Sequence, residues 1–332
     1  MMWPVFLSFI AAVAVSWMVR HAGILDHPNA RSSHSRPTPR GGGLGVLAGL
    51  GGGLLITALI APVSGLQPTL IAALGFSLLG LADDLLALGS RLKFAIMAVL
   101  GAGLVVLTGP VESLGITDEI AIGLPWVIGL AGSVLWVFVV VNAVNFMDGS
   151  DGLIVWSAIP AALGLYFLGE GAVSVTGLML AAGLAGFAVF NVPKASLFLG
   201  DVGSLAIGGV LAIASLQAIS SAGDIWLYPL LILPLLADVL LTLVHKLRHR
   251  IGFLSPHRTH AYQLLVRMGV AHWQVAMGYG AVALFCLALA LVTAHLPAGA
   301  PFAAFAGMVA VITLVHTLIR RRARLAGLDM SQ

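Results

Sequence analysis

Charged side chains are scarce in this chain of 332 residues, because Asp, Glu, Lys and Arg together make up only 9% of it. A water-soluble domain usually carries about 25% charged residues. Here 60% of the residues are hydrophobic, and the mean hydropathy is +1.06. A water-soluble fold of this length cannot bury so much apolar side chain. The composition therefore excludes a soluble protein and indicates that lipid is the main solvent.

Cysteine is almost absent, since Cys286 in an apolar run is the single one. One thiol excludes a disulfide framework within the chain and a thiolate metal cluster. The formal net charge of +3 does not require a nucleic-acid partner, because membrane proteins accumulate Lys and Arg in their cytoplasmic loops. We expect no nucleic acid among the partners.

Apolar runs of about 20 residues, the length of a membrane-spanning helix, follow one another along the chain. They predict an all-α polytopic membrane helix bundle of about eleven transmembrane helices, forming a single integral membrane domain over residues 1–332. The first run lacks the charged front and cleavage site of a secretory signal, so we expect an uncleaved span. The predicted spans cover residues 3–20, 42–62, 67–82, 92–109, 124–141, 153–168, 173–190, 203–221, 225–245, 273–294 and 301–319.

The basic residues predict the orientation of these spans. If the N-terminus lies outside and the chain changes sides at each span, every Lys and Arg falls on the inner side. The outer loops then carry only acidic charges. By the positive-inside rule, this arrangement predicts an outside N-terminus and a cytoplasmic C-terminus.

Four polar motifs fall on the predicted cytoplasmic side. Carboxylates near a membrane are costly and usually functional. Mg²⁺ takes oxygen ligands and commonly joins one or two carboxylates to substrate phosphates, so the pattern indicates metal-assisted phosphoryl transfer. The motifs are LADDLLALGSRLKF with Asp83 and Asp84, NAVNFMDGSDGL with Asp148 and Asp151, FLGDVGS with Asp201, and SPHRTHAYQ with His257 and His260.

Basic and amide side chains complete the predicted site. Guanidinium and ammonium groups can neutralise a pyrophosphate, and amides can hydrogen-bond a nucleobase or sugar. Gly149 and Gly152 favour a turn between Asp148 and Asp151 rather than a continuous helix. The substrate-binding candidates are Arg40, Arg91, Lys93, Arg258, Asn142, Asn145 and Asn191.

Each motif also has a structural interpretation. The Asp-Asp pair can be a solvated helix end, the Asn- and Asp-rich motif an ordinary turn, and Asp201 a helix cap. The glycines of PRGGGLG lack the lysine and hydroxyl residue of a phosphate loop, so we expect them to allow close helix packing. Asp238, inside a predicted span, can pair with a polar group of the bundle, and we expect His295 and His316 to be structural.

Two other classes of membrane protein remain open at this point. A transporter or flippase places ionisable groups near the bilayer midplane, often in repeated halves, whereas these carboxylates lie at one end of the spans. An intramembrane prenyltransferase also uses paired aspartates with Mg²⁺, but it would not need the GDVGS and HRTH motifs.

Together the motifs resemble the polyprenyl-phosphate N-acetylhexosamine-1-phosphate transferase family, glycosyltransferase family 4. The resemblance runs over residues 25–268, from LDHPNARSSHSRPTPRGGGLG through DDLLALGSRLKF, NAVNFMDGSDGL and FNVPKASLFLGDVGS to SPHRTHAYQLL. It implies a bacterial inner-membrane enzyme with a cytoplasmic active site and Mg²⁺, or Mn²⁺, as cofactor. The implied reaction moves a sugar 1-phosphate from a UDP-N-acetylhexosamine to undecaprenyl phosphate and releases UMP.

The resemblance also implies roles for individual residues. Asp83 and Asp84 would act with the metal and activate the lipid phosphate, and Asp201 would be a metal ligand. The nucleotide-sugar and histidine motifs would contact the donor; they fall on Asn142, Asn145, Asp148, Asp151, His257 and His260.

The HRTH sequence distinguishes branches of the family. Phospho-MurNAc-pentapeptide transferases carry a run of adjacent histidines there, whereas this chain has HRTH followed by AYQ. The chain is therefore more similar to the branch that initiates O-antigen or other surface glycans. The donor sugar stays open, and Gly-rich helix faces allow a homodimer.

Overall fold

The computed structural model describes residues 1–22, 25–26, 37–219, 223–250, 258–297 and 299–328. Helices dominate this part of the chain, which confirms the predicted all-α polytopic membrane bundle. They are α1 Met2–Ala22, α2 Gly43–Ile60, α3 Gln67–Leu86, α4 Ser90–Thr108, α5 Trp126–Met147, α6 Leu153–Leu168, α7 Gly171–Asn191, α8 Asp201–Ala218, α9 Leu227–Arg248, α10 Ala261–Arg267, α11 His272–Thr293 and α12 Ala300–Leu325.

Two short antiparallel hairpins, which hydropathy did not predict, join helices in the described residues. β1 (Leu25–Asp26) pairs with β2 (Thr38–Pro39), and β3 (Ser113–Gly115) pairs with β4 (Ala121–Gly123). Strands of two or three residues carry too little pattern to be distinguished from loops in the sequence.

Within the described chain, ten helices are long and apolar enough to cross a membrane, one fewer than the predicted number. The difference is α6, which has 16 residues. At 1.5 Å per residue it is about 24 Å long, shorter than a hydrocarbon core of about 30 Å. It remains an apolar helix at the predicted place. The seven-residue α10 was not predicted, because it lies in the polar stretch 246–272.

Helix α8 lies at the centre of the bundle and contacts α2, α3 and α5. Glycines allow this approach. A Cβ atom on Gly43 of α2 would lie 2.1 Å from Gly203 Cα, and one on Gly80 of α3 would lie 2.1 Å from the Asp201 carbonyl oxygen. Such backbone contact is typical of small residues between membrane helices, and it confirms the packing role expected for PRGGGLG.

The backbone also joins the segments that precede α2 and α8. The N–H groups of Gly41 and Gly42 donate to the Phe198 carbonyl over 3.1 and 2.8 Å, and Gly43 donates to Leu199 over 2.8 Å. The start of α8 is therefore held beside the starts of α2 and α4 and the ends of α3 and α5. The predicted polar motifs meet at this end of the bundle.

Candidate active site

A buried lysine holds two of the predicted aspartates together. Lys93 Nζ of α4 lies 2.6 Å from Asp83 Oδ2 of α3 and also binds the carboxylate of Asp201, the first residue of α8. Asn145 of α5 donates from Nδ2 to Asp201 Oδ1 over 3.0 Å and to Ser204 Oγ over 2.9 Å. Four helices thus contribute to one polar cluster, in which the ammonium group offsets the cost of burying two carboxylates.

Asp84 faces the start of α8. Its Oδ2 accepts the N–H of Val202 over 3.1 Å, as carboxylates at a helix N-terminus commonly do. Arg40 Nη1 lies 3.5 Å from Asp84 Oδ1, and the same guanidinium donates to the Asp84 backbone carbonyl. Gly200 has a φ of +77°, and a Cβ there would lie 3.0 Å from Asp84 Oδ2. Glycine is therefore required at this turn.

A cavity of about 450 Å³ opens beside the cluster, a volume in the range of small-molecule sites. Carboxylates and guanidinium groups dominate its polar lining, so it suits a ligand that carries phosphate groups and takes a metal ion with it. The lining residues are Asp26, Arg40, Asp84, Asp148, Gly149, Ser150, Asp151, Asn191, Phe198, Gly200, Asp201, Arg258, Tyr262, Gln263, Val266 and Arg267.

The predicted turn between α5 and α6 carries Asp148 and Asp151. Asp151 Oδ2 accepts the N–H of Ala195 over 3.1 Å. Asn191 accepts the N–H of Gly152 over 2.8 Å and donates to a backbone carbonyl over 3.0 Å. Asn191 thus lines the cavity while its amide fixes the turn.

Asp148, which follows the last residue of α5, lies in a concentration of negative charge. Burial raises its pKa well above that of an ordinary aspartate, and the charges of Asp201 and Asp84 raise the pKa further. A cation in the cavity would relieve this repulsion.

The oxygen donors at the cavity fit Mg²⁺. No three carboxylate, imidazole or thiol groups of the described residues form a ready-made metal cage. Mg²⁺ does not need one, because it usually binds through one or two carboxylates, water and substrate phosphates. Asp201 and Asp84 line the cavity. Asp83 lies close to Asp201, because both carboxylates bind the ammonium group of Lys93. Mg²⁺ at these three aspartates remains a prediction.

Several predicted residues lie away from the cavity lining. Asn142 is buried, and its Nδ2 donates to the carbonyl one turn earlier in α5 over 2.7 Å. Arg91 is exposed at the start of α4. His260 is buried, with Nδ1 3.4 Å from Asp238 Oδ1, and His257 lies outside the described residues. Substrate contact by these residues stays a prediction.

Sequence reasoning missed the cavity face of α10. Tyr262, Gln263 and Arg267 line the cavity, and the Tyr262 hydroxyl donates to the Phe146 carbonyl over 3.1 Å. Burial raises the pKa of Tyr262, which keeps its phenol protonated as a donor. The available indication was AYQLLVR, which directly follows HRTH within a polar stretch.

The fold and the cavity define a polytopic membrane protein whose acidic, basic and amide groups meet at one end of a helix bundle. Residues 66–219 match the family model of glycosyl transferase family 4. The chain is 28% identical over 316 residues to the decaprenyl-phosphate N-acetylglucosaminephosphotransferase of Mycobacterium tuberculosis, covering 82% of this chain and 76% of the relative.

Two further relatives represent two branches. The chain is 26% identical over 262 residues to the probable undecaprenyl-phosphate N-acetylglucosaminyl 1-phosphate transferase of Bacillus subtilis, covering 75% of this chain and 72% of the relative. It is 32% identical over 231 residues to the phospho-N-acetylmuramoyl-pentapeptide-transferase of Moorella thermoacetica, covering 64% and 70%. The chain belongs to glycosyl transferase family 4.

Proposed function

We propose that the chain transfers N-acetylhexosamine 1-phosphate from a UDP-sugar to undecaprenyl phosphate on the cytoplasmic face of a bacterial inner membrane. The observation that carries the proposal is the cavity at the end of the spans, lined by both carboxylates and guanidinium groups. The Mycobacterium and Bacillus relatives, named as transferases of N-acetylglucosamine phosphate to a polyprenyl phosphate, support it. The product would start an O-antigen or another surface glycan.

The location of the cavity suits two substrates of opposite solubility. The polyprenyl chain requires lipid, whereas a nucleotide sugar is soluble in water. Only a site at the end of the spans reaches both. Arg40, beside Asp84, is placed to attract an anionic phosphate.

The α10 side of the cavity suits the donor. Arg258 and Arg267, which line the cavity, offer two guanidinium groups for the diphosphate. We assign UDP-N-acetylhexosamine to this side, with its β-phosphate towards Asp201.

The proposed reaction is an in-line displacement at the β-phosphorus of the donor. An oxygen of the lipid phosphate forms the new P–O bond, and the bond from the β-phosphorus to the bridging oxygen breaks, so that this oxygen leaves on UMP. The second pKa of a phosphate monoester is near 6, so much of the acceptor is a dianion at neutral pH and no strong base is needed. Mg²⁺, when bound, would neutralise charge on the transferring group.

The aspartates and Lys93 would orient the reactants in this scheme. Asp83, paired with Lys93, suits positioning and charge balance around the lipid phosphate. Asp83, Asp84 and Asp201 would hold the metal, which would supply positive charge beside the phosphates, and Lys93 would balance the charge of Asp83 and Asp201. A covalent aspartyl intermediate is the alternative; UMP release from donor without acceptor in a single turnover would favour it.

The direct test supplies purified protein with radiolabelled UDP-N-acetylglucosamine, undecaprenyl phosphate and Mg²⁺. We expect a lipid-soluble radiolabelled product and one UMP for each sugar transferred, at least ~10²-fold slower formation of both with Asp201→Asn, and neither product with EDTA. A panel with UDP-N-acetylgalactosamine and UDP-MurNAc-pentapeptide identifies the donor. Movement of a polyprenyl lipid across vesicles without UMP formation would instead indicate a flippase.

A further inference from the structure

We propose that helix α12 positions α10 for donor binding, through Arg320 and His316 acting with Asp238 of α9. The three residues do not touch the cavity; they would act through Tyr262 and its neighbours. This inference rests on the proposed function, since it names what holds the donor side of that site in place.

Asp238 fixes the start of α10. Its Oδ1 accepts the N–H of Ala261 over 2.9 Å, and its Oδ2 accepts the N–H of Tyr262 over 3.2 Å and the hydroxyl of Tyr279 over 2.5 Å. The first N–H groups of a helix have no partner within the helix, so this carboxylate determines where α10 begins. Because Asp238 is 2% exposed, water cannot replace it.

Arg320 of α12 holds the segment just before α10. One guanidinium nitrogen, Nη2, donates to the Thr259 carbonyl over 2.6 Å and to Thr242 Oγ1 over 3.1 Å. Thr242 donates to Asp238 Oδ1 over 3.2 Å, and His316 Nε2 lies 3.4 Å from the Thr242 hydroxyl oxygen. The segment is therefore tied to both α9 and α12.

The spacing on the two helices matches. His316 and Arg320 are four residues apart on α12, and Asp238 and Thr242 are four residues apart on α9, so each pair shares one helix face. These faces meet beside α10, which makes the cluster a specific junction of three helices rather than one chance contact.

Helix α12 would need no polar junction merely to pack. Only five of its 26 residues are buried, and His316 and Arg320 are two of them. Burying a guanidinium is costly, and apolar residues of similar size at such a position often stabilise the folded protein equally well or better. Arg320 supplies a directional bond to the Thr259 carbonyl before α10, which an apolar residue cannot do.

Tyr262 connects this junction to the cavity. Its backbone N–H is bound by Asp238, whereas its side chain lines the cavity and its hydroxyl bonds to Phe146 beside the turn of Asp148. A shift of α10 would displace Tyr262, Gln263 and Arg267 together. A displacement of about 1 Å is enough to weaken the contacts of these side chains with a bound donor.

The experiment uses the full chain and determines KM for both substrates and kcat. For Arg320→Gln we expect the KM for the UDP-sugar to rise about 10-fold, as loss of a hydrogen bond to a charged group gives. The acceptor KM and kcat should stay within about 2-fold. Tyr279→Phe, which removes one bond to Asp238, should have a smaller effect in the same direction. Arg320→Lys should restore part of the donor affinity and serves as the variant if Arg320→Gln does not fold.

Ser215→Ala is the matched control. It removes the buried bond from Trp136 Nε1 to Ser215 Oγ (2.9 Å), fourteen residues and about 21 Å along α8 from Asp201. It should leave both KM values unchanged. If Arg320→Gln lowers kcat with an unchanged donor KM, the junction is only structural and the inference is overturned.

Hydrogen exchange in residues 258–268 provides a readout that needs no catalysis. We expect faster exchange in Arg320→Gln than in the wild type, and no change in Ser215→Ala. Unchanged exchange in Arg320→Gln and Arg320→Lys would overturn the coupling of α12 to α10. Failure of the proposed function would look different: the wild type would form no lipid-linked sugar from any donor, while the exchange result would still test the coupling.

Discussion

Two polar clusters lie near the same end of the bundle, an open one around Asp201 and a closed one around Asp238, and they differ in how the carboxylate oxygens are used. Asp201 binds Lys93 and Asn145, but its side chain remains 30% exposed and lines the cavity. Asp238 accepts bonds from Ala261, Tyr262, Tyr279 and Thr242 and is 2% exposed. The open cluster can exchange partners with a ligand, whereas the closed one has committed its oxygens to the fold. Both contain an aspartate in a helix of the bundle, so under the proposed function accessibility, and not residue type, distinguishes a catalytic aspartate from a positioning one.

The largest expected difference is in turnover. Asp201→Asn and Asp83→Asn should each lower kcat by at least ~10²-fold, as expected when electrostatic stabilisation of a transition state is lost. Because Asn keeps the size of Asp, the detergent-solubilised variants should still fold, which circular dichroism can check. Near-normal turnover of either variant with Mg²⁺ would contradict a role of that residue in catalysis.

A substitution in the closed cluster, around Asp238, should affect the stability of the protein rather than its turnover. Asp238→Asn replaces acceptor oxygen by an NH₂ group facing the N–H of Tyr262 and the hydroxyl of Tyr279, so we expect the free energy of unfolding to fall by about 2 kcal/mol. At saturating donor the kcat of the folded protein should stay near that of the wild type. Thermal unfolding in detergent measures the first quantity. If Asp238→Asn lowered kcat 10²-fold, Asp238 would resemble Asp201 in its effect on turnover, and the two clusters would not differ in function as expected.

Two asparagines of α5 allow a matched comparison. Asn145 bonds to Asp201, whereas Asn142 bonds within its own helix. Asn145→Ala should lower turnover about 10-fold, the effect of one hydrogen bond to a charged group. Asn142→Ala should cost less than about 3-fold in turnover. An equal loss for Asn142→Ala would support the substrate contact that the sequence predicts for it.

The smallest expected effect is at Thr242. Thr242→Val keeps the shape of the side chain but removes the hydroxyl shared by Asp238 and Arg320. The free energy of unfolding should fall by about 1 kcal/mol, and the donor KM should rise less than in Arg320→Gln. A donor KM above that of Arg320→Gln would show that the hydroxyl, and not the guanidinium, organises the junction.

Much of this organisation could be predicted from the sequence, because lipid imposes a simple pattern. The apolar runs predicted the helices, and the alternation of sides placed Asp83, Asp148 and Asp201 at one end. The glycines at 149 and 152 predicted the turn. These inferences depend on local composition and on chain direction alone.

The rest depends on contacts between distant residues. The sequence does not reveal that Lys93 lies between Asp83 and Asp201, or that the ring of His260 lies beside Asp238. The contacts of Lys93 and His260 with substrate stay predictions. The position of α10 is set by a residue of α9, and no local pattern in AYQLLVR reveals that partner. Hydropathy gives the position of a span, and the basic residues give its direction. Neither reveals which side chains of different spans contact each other.

The bond from Arg320 to the segment before α10 has a consequence for biosynthesis. A nascent chain that stopped after α11 would already contain every residue that lines the cavity, but not the guanidinium that anchors Thr259. Helix α12 would therefore complete a site that is built from helices inserted before it.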